Sequence, residues 1–206
     1  MSDFGLDDDA TGAVIDSDGD GYADTAAVDT DGDGFVDVAG YDTDGDGYVD
    51  IAEADANGDG FTDTVVDDAN YDGVADSVVA DTDGDGYTDT SVTDTDFDGY
   101  ADAALVDTDG DGVFETAVVD SNNDGAIDGA VIDQDGDAYS ETIVGDTDGD
   151  GIADTIAEDT NADGYTDVVA EDTTGEGYVD TAVVDTDYDG TADVGVVDLG
   201  NGPFQA

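Results

Sequence analysis

The chain has no lysine, no arginine and no histidine against 60 aspartates and glutamates in 206 residues, so its formal charge is −60. Nothing within it can neutralise a carboxylate. Without a basic residue there is no electrostatic footprint for DNA or RNA and no donor for phosphate groups or anionic lipid. Nucleic acid and acidic membranes are thereby excluded as direct partners. Cysteine is absent too, which removes disulfides, thiolate ligands and a thiol nucleophile. Without histidine there is no imidazole ligand and no general base near neutral pH. No apolar run approaches the roughly 20 residues of a membrane span, so direct membrane insertion is not expected. The opening Met-Ser-Asp-Phe-Gly-Leu-Asp-Asp-Asp has neither the positive start nor the apolar core of a signal peptide.

What is present is more informative. A bare charge of this size repels itself over a Debye length of about 8 Å, so the chain either stays open or is folded by cations. Yet 38% of it is hydrophobic, with Val, Ala, Tyr and Phe spread evenly, which is unlike an acidic tail. The reason is a repeat. From Asp16 to Val197 a 13-residue unit recurs fourteen times without insertion or deletion, as in Asp16-Ser-Asp-Gly-Asp-Gly-Tyr-Ala-Asp-Thr-Ala-Ala-Val28. Residues 1–15 read as a degenerate N-terminal repeat or cap, 16–197 as the repeat domain, and 198–206 as a degenerate C-terminal repeat or tail, since a solenoid needs atypical ends.

The first half of the unit is acidic at alternate positions. Position 1 is always aspartate: Asp16, Asp29, Asp42, Asp55, Asp68, Asp81, Asp94, Asp107, Asp120, Asp133, Asp146, Asp159, Asp172 and Asp185. Position 3 holds Asp18, Asp31, Asp44, Asn57, Asn70, Asp83, Asp96, Asp109, Asn122, Asp135, Asp148, Asn161 and Asp187, with Thr174 the exception. Position 5 holds Asp20, Asp33, Asp46, Asp59, Asp72, Asp85, Asp98, Asp111, Asp124, Asp137, Asp150, Asp163, Glu176 and Asp189, followed at position 6 by Gly everywhere but Ala138. Position 9 holds Asp24, Asp37, Asp50, Asp63, Asp76, Asp89, Asp102, Glu115, Asp128, Glu141, Asp154, Asp167, Asp180 and Asp193. Short carboxylates on alternate residues before a turn-forming Gly wrap oxygen ligands around one point. Side chains at 1, 3, 5 and 9 with a backbone carbonyl at 7 make the first part of a calcium loop. Position 7, expected to lend that carbonyl, is Tyr22, Phe35, Tyr48, Phe61, Val74, Tyr87, Tyr100, Val113, Ala126, Tyr139, Ile152, Tyr165, Tyr178 or Thr191. Oxygen-only donors in a flexible loop suit the 6 to 8 ligands of Ca2+ better than the tight octahedron of Mg2+. Zinc would want His or Cys. About one Ca2+ per repeat is expected as the cofactor.

These Asp-x-Asp-x-Asp-Gly loops resemble the EF-hand-like calcium loops of dockerin modules and, more closely, of thrombospondin type-3 repeats, over all fourteen units. The resemblance implies calcium binding and an extracellular or cell-surface setting. It is incomplete in three ways. The bidentate Glu that an EF-hand carries at position 12 is replaced by Ala27, Gly40, Val66, Val79 and their equivalents, with only Glu53 acidic. No helical period lies between the loops. The thrombospondin unit is longer and contains Cys. Position 1 of the following repeat is the available substitute ligand, so Asp29 is expected to close the site begun at Asp16, and so on to Asp198 at the C-terminal end.

Positions 8 to 13 have the Val, Ile, Thr and Ala content of a short strand. One strand per turn at constant period predicts an all-β fold, a calcium-stapled parallel β-solenoid of about fourteen turns with its ions in a column along one edge. The alternative is a chain wrapped around an ion core with little sheet. Positions 8, 10 and 12 carry a single charge, Glu53, and so are expected to face inward, with the position-7 rings stacked as a ladder. The expected role is a secreted or surface structural rod or spacer that folds on binding many calcium ions, self-associating or meeting an unidentified cell-surface partner. An adhesin or ice-binding face, with recurrent Thr at positions 2 and 10, is the alternative. Every unit repeats one constellation and none forms a unique cleft, so no enzyme is expected.

Overall fold

A computed structural model describes residues 11–197, and among these there is no helix and hence none long and apolar enough to cross a membrane. Fifteen short strands recur at the 13-residue period, from β1 (Thr11–Ile15) and β2 (Thr25–Asp29) through β3 (Val38–Tyr41), β4 (Ile51–Ala54), β5 (Thr64–Asp67), β6 (Ser77–Ala80) and β7 (Thr90–Thr93). They continue through β8 (Ala103–Val106), β9 (Thr116–Val119), β10 (Gly129–Ile132), β11 (Thr142–Gly145), β12 (Thr155–Glu158), β13 (Val168–Glu171), β14 (Thr181–Val184) and β15 (Val194–Val197). Asp198, expected as the last ligand, and the terminal segments 1–10 and 198–206 lie outside the described residues. From β3 on each strand is four residues long, shorter than expected and covering positions 10 to 13, because positions 8 and 9 belong to the loop.

The chain divides into two compact units, Met1–Ala101 with Gly110–Gly112 and Asp102–Asp109 with Val113–Ala206. The first carries β1 to β7 and the second β8 to β15. Within each, every strand pairs with the one before it, and every pair is antiparallel. The parallel solenoid is therefore corrected to an open antiparallel meander. The cause is local. Each nine-residue loop returns to its own origin, as where the Asp37 amide donates to the Val28 carbonyl at 2.9 Å and the Asp63 amide to the Ala54 carbonyl at 2.8 Å. A connection whose ends meet reverses the chain, whereas a parallel neighbour needs a crossover of a dozen or more residues.

Reversal has two further consequences. Within each unit successive loops emerge at opposite edges, so in place of the expected single column the loops form two rows, each made of every second loop. The faces also change. Thr25 pairs with Tyr41 and Ala27 with Ala39, and directly paired residues share a face. Positions 10 and 12 of one strand thus lie beside positions 13 and 11 of the next, and the expected inward set of even positions does not exist. Both faces draw on both sets. Among the described residues the one buried apolar side chain is Ala39, whereas Val79, Val131, Ile143 and Val183 are exposed.

Candidate metal centres

Burial in this protein falls on the carboxylates. The least exposed side chains lie at positions 1 and 9, with Asp167 at 3% and Asp50, Asp120 and Asp185 at 4%. The loop backbone is built around them. In the loop 42–50, Asp42 accepts the Gly45 amide on Oδ1 at 2.7 Å and the Gly47 amide on Oδ2 at 2.8 Å. Asp44 Oδ1 accepts the Asp46 amide at 2.9 Å, and Asp46 Oδ1 accepts the Tyr48 amide at 2.8 Å. The same set recurs in loops 29–37 and 81–89. These bonds require positions 4 and 6 to turn back on the left-handed side, and both do so in all fourteen repeats, from Gly19 (φ 82°) and Gly21 (φ 101°) onward. Where Gly is replaced, Tyr71, Phe97, Asn123, Ala138, Ala162 and Tyr188 hold φ between 55° and 73°, a conformation that costs an L-residue roughly 1–2 kcal/mol. The loop geometry is kept at that cost.

Position 9 closes the loop, and position 2 positions it. Asp50 Oδ2 accepts the Thr43 amide at 2.5 Å and the Thr43 hydroxyl at 2.6 Å. Ser121 does the same for Asp128, and Thr147 for Asp154; the Thr30 hydroxyl binds Asp37 likewise. This role of position 2 was not anticipated. Its recurrent Thr was visible but suggested a water-facing ladder, whereas the hydroxyls are turned onto the position-9 carboxylate. In three loops the other oxygen is left over: Asp89 Oδ1, Glu115 Oε1 and Glu141 Oε1 are buried and have no hydrogen-bond partner, whereas Asp128 Oδ1 accepts the Asn122 side-chain amide at 3.2 Å.

The carboxylates converge. Asp133, Asp135, Asp137 and Glu141 each place a ligand oxygen within 4.8 Å of the others, as do Asp42, Asp44 and Asp50, the trio Asp16, Asp18 and Asp24, and the trio Asp29, Asp31 and Asp33. Several such groups could hold a metal ion. Their mutual field is felt most at position 3. Asp187 is raised above the ordinary carboxylate range by the charges of Asp193 and Asp189, then by burial and by Asp185. Asp83 and Asp148 shift the same way, burial leading and the neighbouring carboxylates adding to it. Position 9 moves in the opposite direction. The Thr82 hydroxyl holds Asp89 below its usual value, and Thr30 and Thr186 do so for Asp37 and Asp193. Asp172 is the extreme: burial pushes it up, but the amides of Tyr178, Thr174, Glu176 and Gly177 carry it down to about 2. In that loop the Tyr178 amide turns to Asp172 Oδ2 at 2.8 Å, the place of a position-5 aspartate being taken by the longer Glu176.

The expected sharing between consecutive repeats is overturned. Asp29 stands at the far end of β2 from the loop 16–24 and cannot close it. The residue that reaches that loop is Asp42, whose amide donates to the Asp24 carbonyl at 2.9 Å. The ring at position 7 is likewise not stacked in the way expected of a ladder on neighbouring turns. A Cβ on Gly47 would stand 2.8 Å from Tyr22 Cδ1, and one on Gly60 3.2 Å from Phe35 Cδ1, so these rings lie over the position-6 Gly two repeats on, as do Tyr87, Tyr139 and Tyr165, whereas Gly73 and Gly86 meet no ring. Comparison with protein-family models, with curated proteins and with solved structures found no match.

Proposed function

We propose that the chain is a calcium-binding structural repeat protein whose sheet is completed by the ions it holds, serving as a spacer outside the cell or at its surface. One observation carries this reading: the most deeply buried side chains are carboxylates, and the chain has no cationic residue to pair with them. A buried charge without a partner costs several kcal/mol or more. Hydrogen bonds from the loop amides meet part of that cost, but the unpartnered oxygens of Asp89 and Glu115 remain. A cation meets the rest.

The donor set selects the ion. All offered side-chain groups are carboxylates, with an amide oxygen at Asn57, Asn70, Asn122 and Asn161, which favours a hard cation and disfavours zinc. The carboxylates at positions 3 and 5 are held by single backbone amides, as Asp44 is by Asp46 and Asp46 by Tyr48, a compliant arrangement that suits calcium more than magnesium. Fourteen divalent ions would bring the formal charge from −60 to −32, easing the repulsion that opposes the fold. A spacer outside the cell fits this chemistry because calcium there is abundant enough for sites of moderate affinity. Metal analysis after gel filtration in calcium, with magnesium as competitor, tests the reading. About one calcium per complete loop, kept against equal magnesium, is expected; retention of no divalent ion would refute it.

A further inference from the structure

We propose that within each compact unit the metal loops are coupled in two separate strings, each loop to the second loop before and after it, and not to its sequence neighbours. The inference rests on the calcium reading above and adds to it a direction of communication. Three independent contacts join loops two repeats apart. The position-1 amide of one donates to the position-9 carbonyl of the other, as from Asp81 to Asp63 at 2.7 Å and from Asp55 to Asp37 at 2.8 Å. In part of these pairs the position-7 ring of the earlier loop lies over the position-6 Gly of the later, as Phe35 does over Gly60. The position-3 side chain of the earlier reaches the position-4 Gly of the later, so that a Cβ on Gly84 would meet Asn57 Nδ2 at 2.6 Å.

Each contact joins a residue that orders one ion site to a residue that orders another. Asp63 is both the last ligand of its loop and the acceptor for Asp81, the first ligand of the next loop in that row. Filling one site fixes the Asp63 carbonyl and the Asn57 side chain that reaches Gly84, so the following loop is assembled at lower entropic cost. Electrostatics has the same reach. Loops in one row are about 10 Å apart, two strand spacings, near the Debye length of about 8 Å. Consecutive loops are separated by the length of a strand, about 17 Å for the five steps from position 9 to the next position 1, and are largely screened from each other. An ion in one loop therefore relieves the carboxylate crowding that keeps the next loop of its row open, while its own charge repels a second cation there, so the contacts set the sign of the coupling. The coupling is positive and runs 26 residues at a time.

The experiment follows position-6 Gly amides by NMR during calcium titration of the full chain. In Asp59→Asn the loop 55–63 loses a charged ligand, while the new amide oxygen can still accept the Phe61 amide that Asp59 takes at 2.9 Å. Strand circular dichroism at saturating calcium verifies the fold. The midpoints of Gly34 and Gly86 should rise by about fivefold, the low end of ordinary coupling, with Gly47 and Gly73 unmoved. The mirror variant Asp46→Asn should move Gly21 and Gly73 and leave Gly34 alone, which covers the case in which either variant fails to fold. Movement of the sequence neighbours, or of no neighbour, overturns the coupling while the wild-type titration upholds calcium binding. A wild-type titration flat in every loop overturns both.

Discussion

The backbone amide of Thr82 donates to Oδ2 of Asp89 at 2.6 Å, and Oδ1 of the same buried carboxylate has no partner. The pair shows how this loop, like those closed by Glu115 and Glu141, divides its acidic closing residue, one oxygen fixed by the chain and one left unpartnered. Thr82→Val removes the hydroxyl donor and leaves the amide in place. Asp89 should rise toward its ordinary pKa, and the loop should bind calcium about fivefold more weakly, the worth of one net hydrogen bond. Calorimetry that found the full complement of sites at unchanged affinity would contradict this role for position 2.

The ring-over-glycine contact predicts unequal effects of the same substitution. Gly21 and Gly47 both hold positive φ, at 101° and 94°, but a Cβ on Gly21 meets nothing within 4 Å whereas one on Gly47 meets Tyr22 at 2.8 Å. Gly21→Ala should cost roughly 1–2 kcal/mol in backbone strain alone, and Gly47→Ala more. Adding Tyr22→Ala should recover the difference at Gly47 and none at Gly21. Thermal unfolding in calcium reads the cycle, and equal costs for the two alanines would remove the contact from the account.

The loop 172–180 is expected to be the weakest of the described sites. Thr174 has no carboxylate, Glu176 is a methylene too long, and Asp172 takes up their backbone donors, accepting the amides of Thr174, Gly175, Gly177 and Tyr178. Those bonds saturate the one carboxylate that the site most needs. As calcium is withdrawn, hydrogen exchange should rise over 172–180 before it rises over 42–50. Restoring Thr174→Asp with Glu176→Asp should delay that opening, and an unchanged order would assign it to the loop's place in the chain.

Acidity should substitute in part for the ion. Asp83, Asp148 and Asp187 have folded pKa values above the ordinary carboxylate range, so their contribution to stability is present below the unfolded value of about 3.9 and is lost as pH rises through the folded one. Asp89 and Asp172 are lowered; their contribution is present above the unfolded value and is lost as pH falls toward about 2 for Asp172. In metal-free buffer the strand signal should therefore be greatest near about pH 4 and decline toward neutrality. A signal that only grows from pH 4 to pH 7 without metal would contradict the repulsion inferred at position 3.

The loops were legible in the sequence because their chemistry is local. Alternating carboxylates, a turning Gly and an acidic ninth residue specify a ring of oxygens wherever the chain runs. Strand direction was less legible, since a 13-residue period fits either a coil that advances or a meander that reverses. Yet the signal was contained in the ligand reading. If Asp29 and Asp37 face one point, the chain enters and leaves the loop at one place, and the flanking strands must be antiparallel. The faces followed from direction, so Tyr41 and Thr25, at positions 13 and 10, came to share one side. Position 4 was missed because Tyr71 and Phe97 obscure its Gly pattern, although both keep the left-handed turn that the Asp68 and Asp94 carboxylates require.

Far-ultraviolet circular dichroism of the full chain at neutral pH, first in millimolar calcium and then in excess chelator, tests the central claim most directly. If buried carboxylates are held by calcium, the free energy of ion binding is free energy of folding. The strand spectrum should then disappear on chelation and return with calcium but not with equal magnesium. A strand spectrum that persists in excess chelator would show that the sheet stands without its ions, and would contradict the account.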